Sequence, residues 1–265
     1  MKRKNLRKRL WAFALIVCLL LTGFPMTVFA EDSVAEAESV IPEGAIYLSD
    51  AVDFLELAEN CVDDAWSRDK VFVLTDDIDL SGVEFTSIPT FGGTFLGQGY
   101  TVSGFRLTEV KDAVGFFRYL QKTALVEDLH LKGIVQPGKS GNMDIGGMVG
   151  VNSGTVKNCS FTGTVSGTER IGGISGRNKV SGIIEGSSAS GIVYGDHYIG
   201  GIVGENLGVI RDCVNHAEVN THVDHNSVSM GMVSGLSLES LTAKESINDA
   251  TNIGGIADYH GKVER

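Results

Sequence analysis

The sequence predicts an all-β chain, a parallel β-helix (solenoid) preceded by an N-terminal α-helical cap. Three observations carry this reading. Glycine is concentrated late, with 31 of 34 at or after Gly92, while only 4 prolines occur, a balance that fits neither collagen nor a Pro-rich linker. Apolar residues come in short β-branched runs bounded by Gly, Asn and Ser, with no 3.6-residue period. Above all, one string recurs: Ile145-Gly-Gly-Met-Val-Gly150, Ile171-Gly-Gly-Ile-Ser-Gly176, Ile199-Gly-Gly-Ile-Val-Gly204 and Ile253-Gly-Gly-Ile-Ala257, at spacings of 26, 28 and 54.

The chain opens with six cations in its first nine residues, an apolar run from Leu10 to Leu21, and Val28-Phe29-Ala30 before a cleavage point. That is the layout of a secretory signal peptide over residues 1–30, with a mature chain starting at Glu31. The apolar run is short of the ~20 residues a spanning helix needs, so no stable membrane insertion is expected after cleavage. Val17 before Cys18 is too bulky for a lipoprotein box. Without the leader, 16 Lys and Arg face 33 Asp and Glu, a net charge of −17 rather than −11. Nucleic acid and anionic lipid are bound through clustered Lys and Arg, which the sequence does not display, so neither is expected as a partner. Three cysteines remain, Cys61, Cys159 and Cys213, an odd number that argues against a disulfide framework.

Residues 31–45 are small and acidic and read as a flexible leader. Residues 46–70 form the helical cap, in which Ser49 or Asp50 caps a helix whose apolar positions Val52, Leu55, Ala58, Cys61, Val62 and Ala65 recur at three and four. The β-helix repeats occupy residues 71–220. Gly93 to Val102 reads as strand, tight turn, strand, with Gly97 and Gly99 supplying positive φ. A degenerate copy follows, with Val114-Gly115-Phe116-Phe117 for the string and then Leu129, Gly133 and Val135.

In the intact copies Asn152, Asn178 and Asn206 stand seven residues after the first Ile. Then come Val156, Ile184 and Ile210, followed by Cys159, Ser187 and Cys213. Gly163, Gly191 and Ala217 close the pattern, each two residues before a valine. The two-residue excess in the 28-residue spacing lies between Asn178 and Ser187, one small turn insertion. Such units suit coils of three short strands stacked about 4.8 Å apart. The asparagines then form an amide ladder. The cysteines face inward, two coils or roughly 9.6 Å apart, beyond the ~7 Å reach of a disulfide.

The pattern Ile-Gly-Gly-Ile-Val-Gly-x-Asn-x-Gly-x-Ile-x-x-Cys, complete at residues 199–213, resembles the GLUG-motif repeats of bacterial secreted and cell-surface proteins. Those repeats are found beside adhesin-like regions and in some IgA-type metallopeptidases. Phe72-Val-Leu-Thr-Asp-Asp-Ile-Asp-Leu-Ser-Gly82 and the segment from Phe91 to Phe105 resemble the opening module of such proteins, with Leu96 where an Asp is expected. The likeness covers residues 71–220 and again 251–262. It implies a right-handed β-helix and an extracellular location, and no single activity.

Residues 221–252 read as an irregular insertion or degenerate coil, with Met230-Gly231-Met232-Val233 as an eroded string, and residues 253–265 as the start of a further, incomplete coil. That half coil reads as the front part of a longer protein. Gly133 to Ser140 spells a P-loop, but a strand rather than the required helix is expected behind it. His222 and His225, with His216 nearby, have metal-ligand spacing without a partner motif. Asp76, Asp77 and Asp79 form the densest acidic group, on the opening strand. Asp128 and Asp212 share a column three coils apart, about 14 Å, too far for a glycoside-cleaving pair. Asp144 and Arg170, on neighbouring coils, are placed to form an ion pair. No catalytic, metal-ligating or cofactor-binding residue is assigned, and no cofactor. The expected function is a secreted or surface-exposed structural or adhesive segment that presents a rigid face to a glycan or a host or surface protein. The alternatives are a carbohydrate-active lyase or hydrolase of the β-helix type, and an N-terminal fragment of a larger surface protein with no activity of its own.

Overall fold

The computed structural model describes residues 41–138, 141–219, 230–231 and 262–264. The signal peptide, most of the acidic leader, Lys139 and Ser140, His222 and His225, Met232 and Val233, and the string at Ile253 lie outside the described residues. Within them the chain winds as a parallel β-helix of about six coils. A repeat coil has four strands rather than the expected three: Met143–Gly146, Val149–Asn152, Thr155–Lys157 and Ser160–Ser166. Stacking turns these into faces 1 to 4, of four, five, eight and six strands respectively.

The extra strand arises inside the repeated string. Ile145-Gly146 ends one strand, Gly147-Met148 turns, and Val149 begins the next. A Cβ on Gly146 would lie 2.1 Å from the Val149 carbonyl oxygen, and one on Gly147 2.3 Å from that of Gly173. The bend therefore closes only where backbone can touch backbone.

Register follows the repeat. Val156 lies between Val126 and Ile184, Asn152 between Leu120 and Asn178, and Gly163 between Gly133 and Gly191. Met230-Gly231 pairs with Ile199-Gly200, so the eroded string keeps the string's place. Lys262–Glu264 pairs with Val209–Arg211, which belongs to that same coil. The turn after Leu96 joins faces 3 and 4 and is a corner rather than a hairpin. Its positive φ angles fall on Gln98 and Gly99. Gly97 is not among them, contrary to expectation; a Cβ there would lie 2.4 Å from the Asp128 carbonyl oxygen.

Helix α1 (Ala51–Asn60) is capped by Asp50, whose carboxylate accepts from the Val52 and Asp53 amides while the Asp53 carboxylate accepts from the Asp50 amide. It ends at Cys61 rather than running on to Ala65. Its inward stripe also differs from expectation. Phe54, Leu57, Ala58 and Cys61 are buried, whereas Val52, Leu55 and Val62 are 58%, 37% and 73% exposed. The observed stripe keeps helical spacing and sets Phe54 against Phe95, Phe85 and Phe116, with ring centroids at 6.2, 6.4 and 5.6 Å. A phenylalanine buries more apolar area than the valines of the competing stripe, and that difference selects the face. Ile46–Leu48, just before the helix, pairs with Val71–Leu74 on face 3.

The Phe54→Ala variant should lose about 3–5 kcal/mol of stability, while Val52→Ala should change it by less than about 0.5 kcal/mol. Urea denaturation of the two variants checks this, and equal losses would return the helix to the stripe read from its sequence.

Candidate functional site

Two inner columns hold the coils together. The Asn152 side-chain amide donates to the Asn178 carbonyl oxygen at 2.9 Å, and Asn178 donates to Asn206 at 2.8 Å, all three fully buried. The same side chains close the next corner, accepting from the Gly154 and Gly208 amides. The second column is Cys159, Ser187 and Cys213, where the Ser187 hydroxyl accepts from the Cys159 amide at 3.1 Å. All three cysteines of the described residues are free and buried. Burial pushes the Cys159 and Cys213 thiols up to about 12 and Cys61 to about 11, from an ordinary 9.0.

The polar columns weighed for chemistry have backbone roles. Asp128, Asn158, Gly186 and Asp212 all have φ between 51° and 57°. They turn the chain from face 3 to face 4, and Asn, Asp and Gly tolerate that left-handed conformation best. Asp144, Arg170 and Tyr198 have φ of 62°, 56° and 56°. Arg170 pairs with Asp144 at 2.5 Å, as expected, and also contacts Glu169 and Glu205. Three carboxylates thus converge on one guanidinium.

Asp77 accepts from the Thr101 amide at 2.7 Å and Asp79 from the Ser81 amide at 2.8 Å. The Ser81 amide and hydroxyl hold Asp79 below the usual carboxylate range. Gly133 lies inside the strand His130–Val135, and the strand Met143–Gly146 follows. Among the described residues no helix stands behind the P-loop string. His130 Nδ1 meets the Ser160 hydroxyl at 2.8 Å, with no carboxylate bonded to its ring among the described residues. His216 is exposed on face 4.

On face 3 the outward residues Glu127, Lys157, Glu185 and Arg211 are stacked in register with alternating charge. Lys157 pairs with Glu127 and Arg211 with Glu185, each at 2.6 Å. The hydrogen bond that Lys157 donates to Glu127, followed by the charge of that carboxylate, raises the Lys157 pKa.

The corner between faces 2 and 3 alternates in length. It is Gly92-Gly93, then Gln121 to Ala124, then Ser153-Gly154, then Lys179 to Gly182, then Leu207-Gly208. Two long corners, two coils or roughly 9.6 Å apart, therefore project on either side of a short one. Two open grooves of about 570 and 770 Å³ lie against them, sharing Lys122 and Ser181. Arg68, Gln121, Thr123 and Ser153 complete the first; Arg177, Lys179, Val180 and Leu207 complete the second. In a chain of net charge −11, these walls carry, among the described residues, four cations and no carboxylate. The fold thus assembles the cation cluster that the sequence does not display. Arg68 donates to Gln121 Oε1 at 2.9 Å, and Arg177 Nε lies 2.8 Å from Glu205. Lys122 and Lys179 are exposed and form no ion pair among the described residues.

One coil decides the likeness to known proteins, the one running from Gly141 through the four strands to Ser166. Residues 141–166 match the GLUG motif. The GLUG motif is thus one complete turn of the solenoid, entered before face 1 and left at the end of face 4. No curated protein matches the chain in sequence. Among solved structures, a "putative immunoglobulin A1 protease" from Bacteroides ovatus is similar at 17% identity and a TM-score of 0.46, over 83% of this chain and 84% of that one. The coil two turns on from the degenerate copy, carrying Lys179, has the same long corner as that copy. One signal could have revealed it, because the two-residue excess after Asn178 has a twin after Leu120.

Asn178→Ala removes the carbonyl oxygen that accepts from Asn152 at 2.9 Å and the amide that donates to Asn206 at 2.8 Å. A loss of about 2–4 kcal/mol is expected in chemical denaturation, and a loss below about 0.5 kcal/mol would mean that the ladder adds no net stability.

The thiols predict an alkaline limit. Unfolded thiols ionise near the ordinary 9.0 while the folded ones keep their protons, so this contribution is complete below that pH and lost as pH rises toward about 11 or 12. The thermal midpoint should fall between about pH 9 and 12, and Cys159→Ala with Cys213→Ala should flatten that fall.

Proposed function

We propose that the chain is a secreted or surface-exposed structural or adhesive segment of a bacterial protein, presenting a rigid β-helical face to a glycan or to a protein of a host or neighbouring surface. One observation supports this most: outward residues of successive coils stand in straight rows, as Glu127, Lys157, Glu185 and Arg211 do. Rows at a fixed spacing suit a ligand that itself repeats. The signal-like residues 1–30 and the GLUG coil favour export.

Expressed with its own leader in a bacterium, the protein should leave the cytoplasm and begin at Glu31 by mass spectrometry. Retention with Met1 intact would overturn export. Incubated with polysaccharides, it should release no reducing ends; release would favour the lyase or hydrolase alternative.

A further inference from the structure

We infer that the paired grooves at the corner between faces 2 and 3 bind an acidic saccharide, with Lys122 and Lys179 holding its carboxylates. The inference deepens the presenting-face reading and rests on it. Charge comes first. Lys122 and Lys179 sit on the two projecting corners, separated by the low Ser153-Gly154 corner, and both line the larger groove, whose walls include no acid among the described residues. Arg68 lies at the far end of the smaller groove, its guanidinium held by neutral Gln121, and Gln121 is fixed in turn by donating to the Asp64 carbonyl oxygen at 2.6 Å. Positive charge is thus spread along this corner, from Arg68 through Lys122 to Lys179.

The hydroxyls narrow the ligand class. Thr123 donates its hydrogen to the Gly92 carbonyl oxygen at 2.9 Å, and Ser181 donates to that of Ser153 at 2.8 Å. Both hydroxyls have spent their hydrogens and offer lone pairs to the groove. A ligand that fits must therefore supply hydrogen-bond donors as well as negative charge. A uronate sugar carries a carboxylate and several hydroxyls on one ring. A phosphodiester or sulfate group offers acceptors alone. Among the described residues no aromatic ring lines either groove, so charge rather than stacking provides the hold. Val180, 79% exposed, and Leu207 offer apolar contact to the C–H face of a sugar.

Calorimetric titration of the purified full chain with oligogalacturonate tests this, against its methyl-esterified form and a poly-glutamate peptide of equal charge. The acid form should bind, weaken with added salt, and weaken at least about tenfold in the Lys122→Gln, Lys179→Gln double variant. Lys132→Gln, on face 4, should leave binding unchanged, and circular dichroism of each variant checks that it is folded. Binding that survives the double variant overturns the groove while leaving the presenting-face reading intact. Equal binding of the methyl ester, tighter binding of poly-glutamate, or no binding of the acid form overturns the ligand class. Release of reducing ends in the same cell overturns the presenting-face reading itself.

Discussion

A residue in this fold has a counterpart directly above it and another directly below. The parallel register sets equivalent positions about 4.8 Å apart on neighbouring coils, so each side chain must be compatible with near-repetition. Inside, small and β-branched groups meet that condition, and so does the carboxamide, which donates and accepts at once. Asn152, Asn178 and Asn206 therefore chain head to tail through 26- and 28-residue separations. Outside, two like charges 4 Å apart repel by about 1 kcal/mol in water and about 4 kcal/mol near a protein surface. The row Glu127, Lys157, Glu185, Arg211 avoids this by alternating sign.

The same condition explains what could be read from the sequence. Columns are legible because stacking writes each constraint into the chain several times over. The asparagine ladder, the cysteine column and the pairing of Asp144 with Arg170 all appear at the repeat spacing. The helix is different, since it occurs once and no second copy arbitrates between two overlapping stripes. Only contact with Phe85, Phe95 and Phe116 selects Phe54 over Val52 and Leu55. The fourth strand was hidden for another reason. Gly146 and Gly147 are glycines for close approach, not for positive φ, and a glycine pair in sequence does not say which of the two needs it fills. The left-handed column Asp128, Asn158, Gly186, Asp212 shows the converse. Read as side chains it suggests acid chemistry, and read as backbone it is one corner repeated.

The grooves were the least legible part. Lys122 and Lys179 are 57 positions apart, on a degenerate and an intact copy, and neither belongs to a motif. Composition was misleading too, because an acidic total says nothing about where the few cations gather. What joins them is a difference in corner length, legible in the sequence only as the two-residue excess after Asn178 and its twin after Leu120.

Corner length also gives a physical reason for the site to lie there. One extra residue within a strand would turn every following side chain to the opposite face and break the columns at once. Four residues at Lys179 to Gly182, where Ser153-Gly154 are two, leave Ile183 beside Thr155 and Ile184 beside Val156 in unbroken register. Asn178 still bonds to both neighbours across the longer corner, with Gly182 taking the place of Gly154 as its acceptor partner. Corners can therefore lengthen and change charge while strands cannot. Side chains released from the repeat condition collect at these corners, and Lys122 and Lys179 occupy two such positions facing one shared groove.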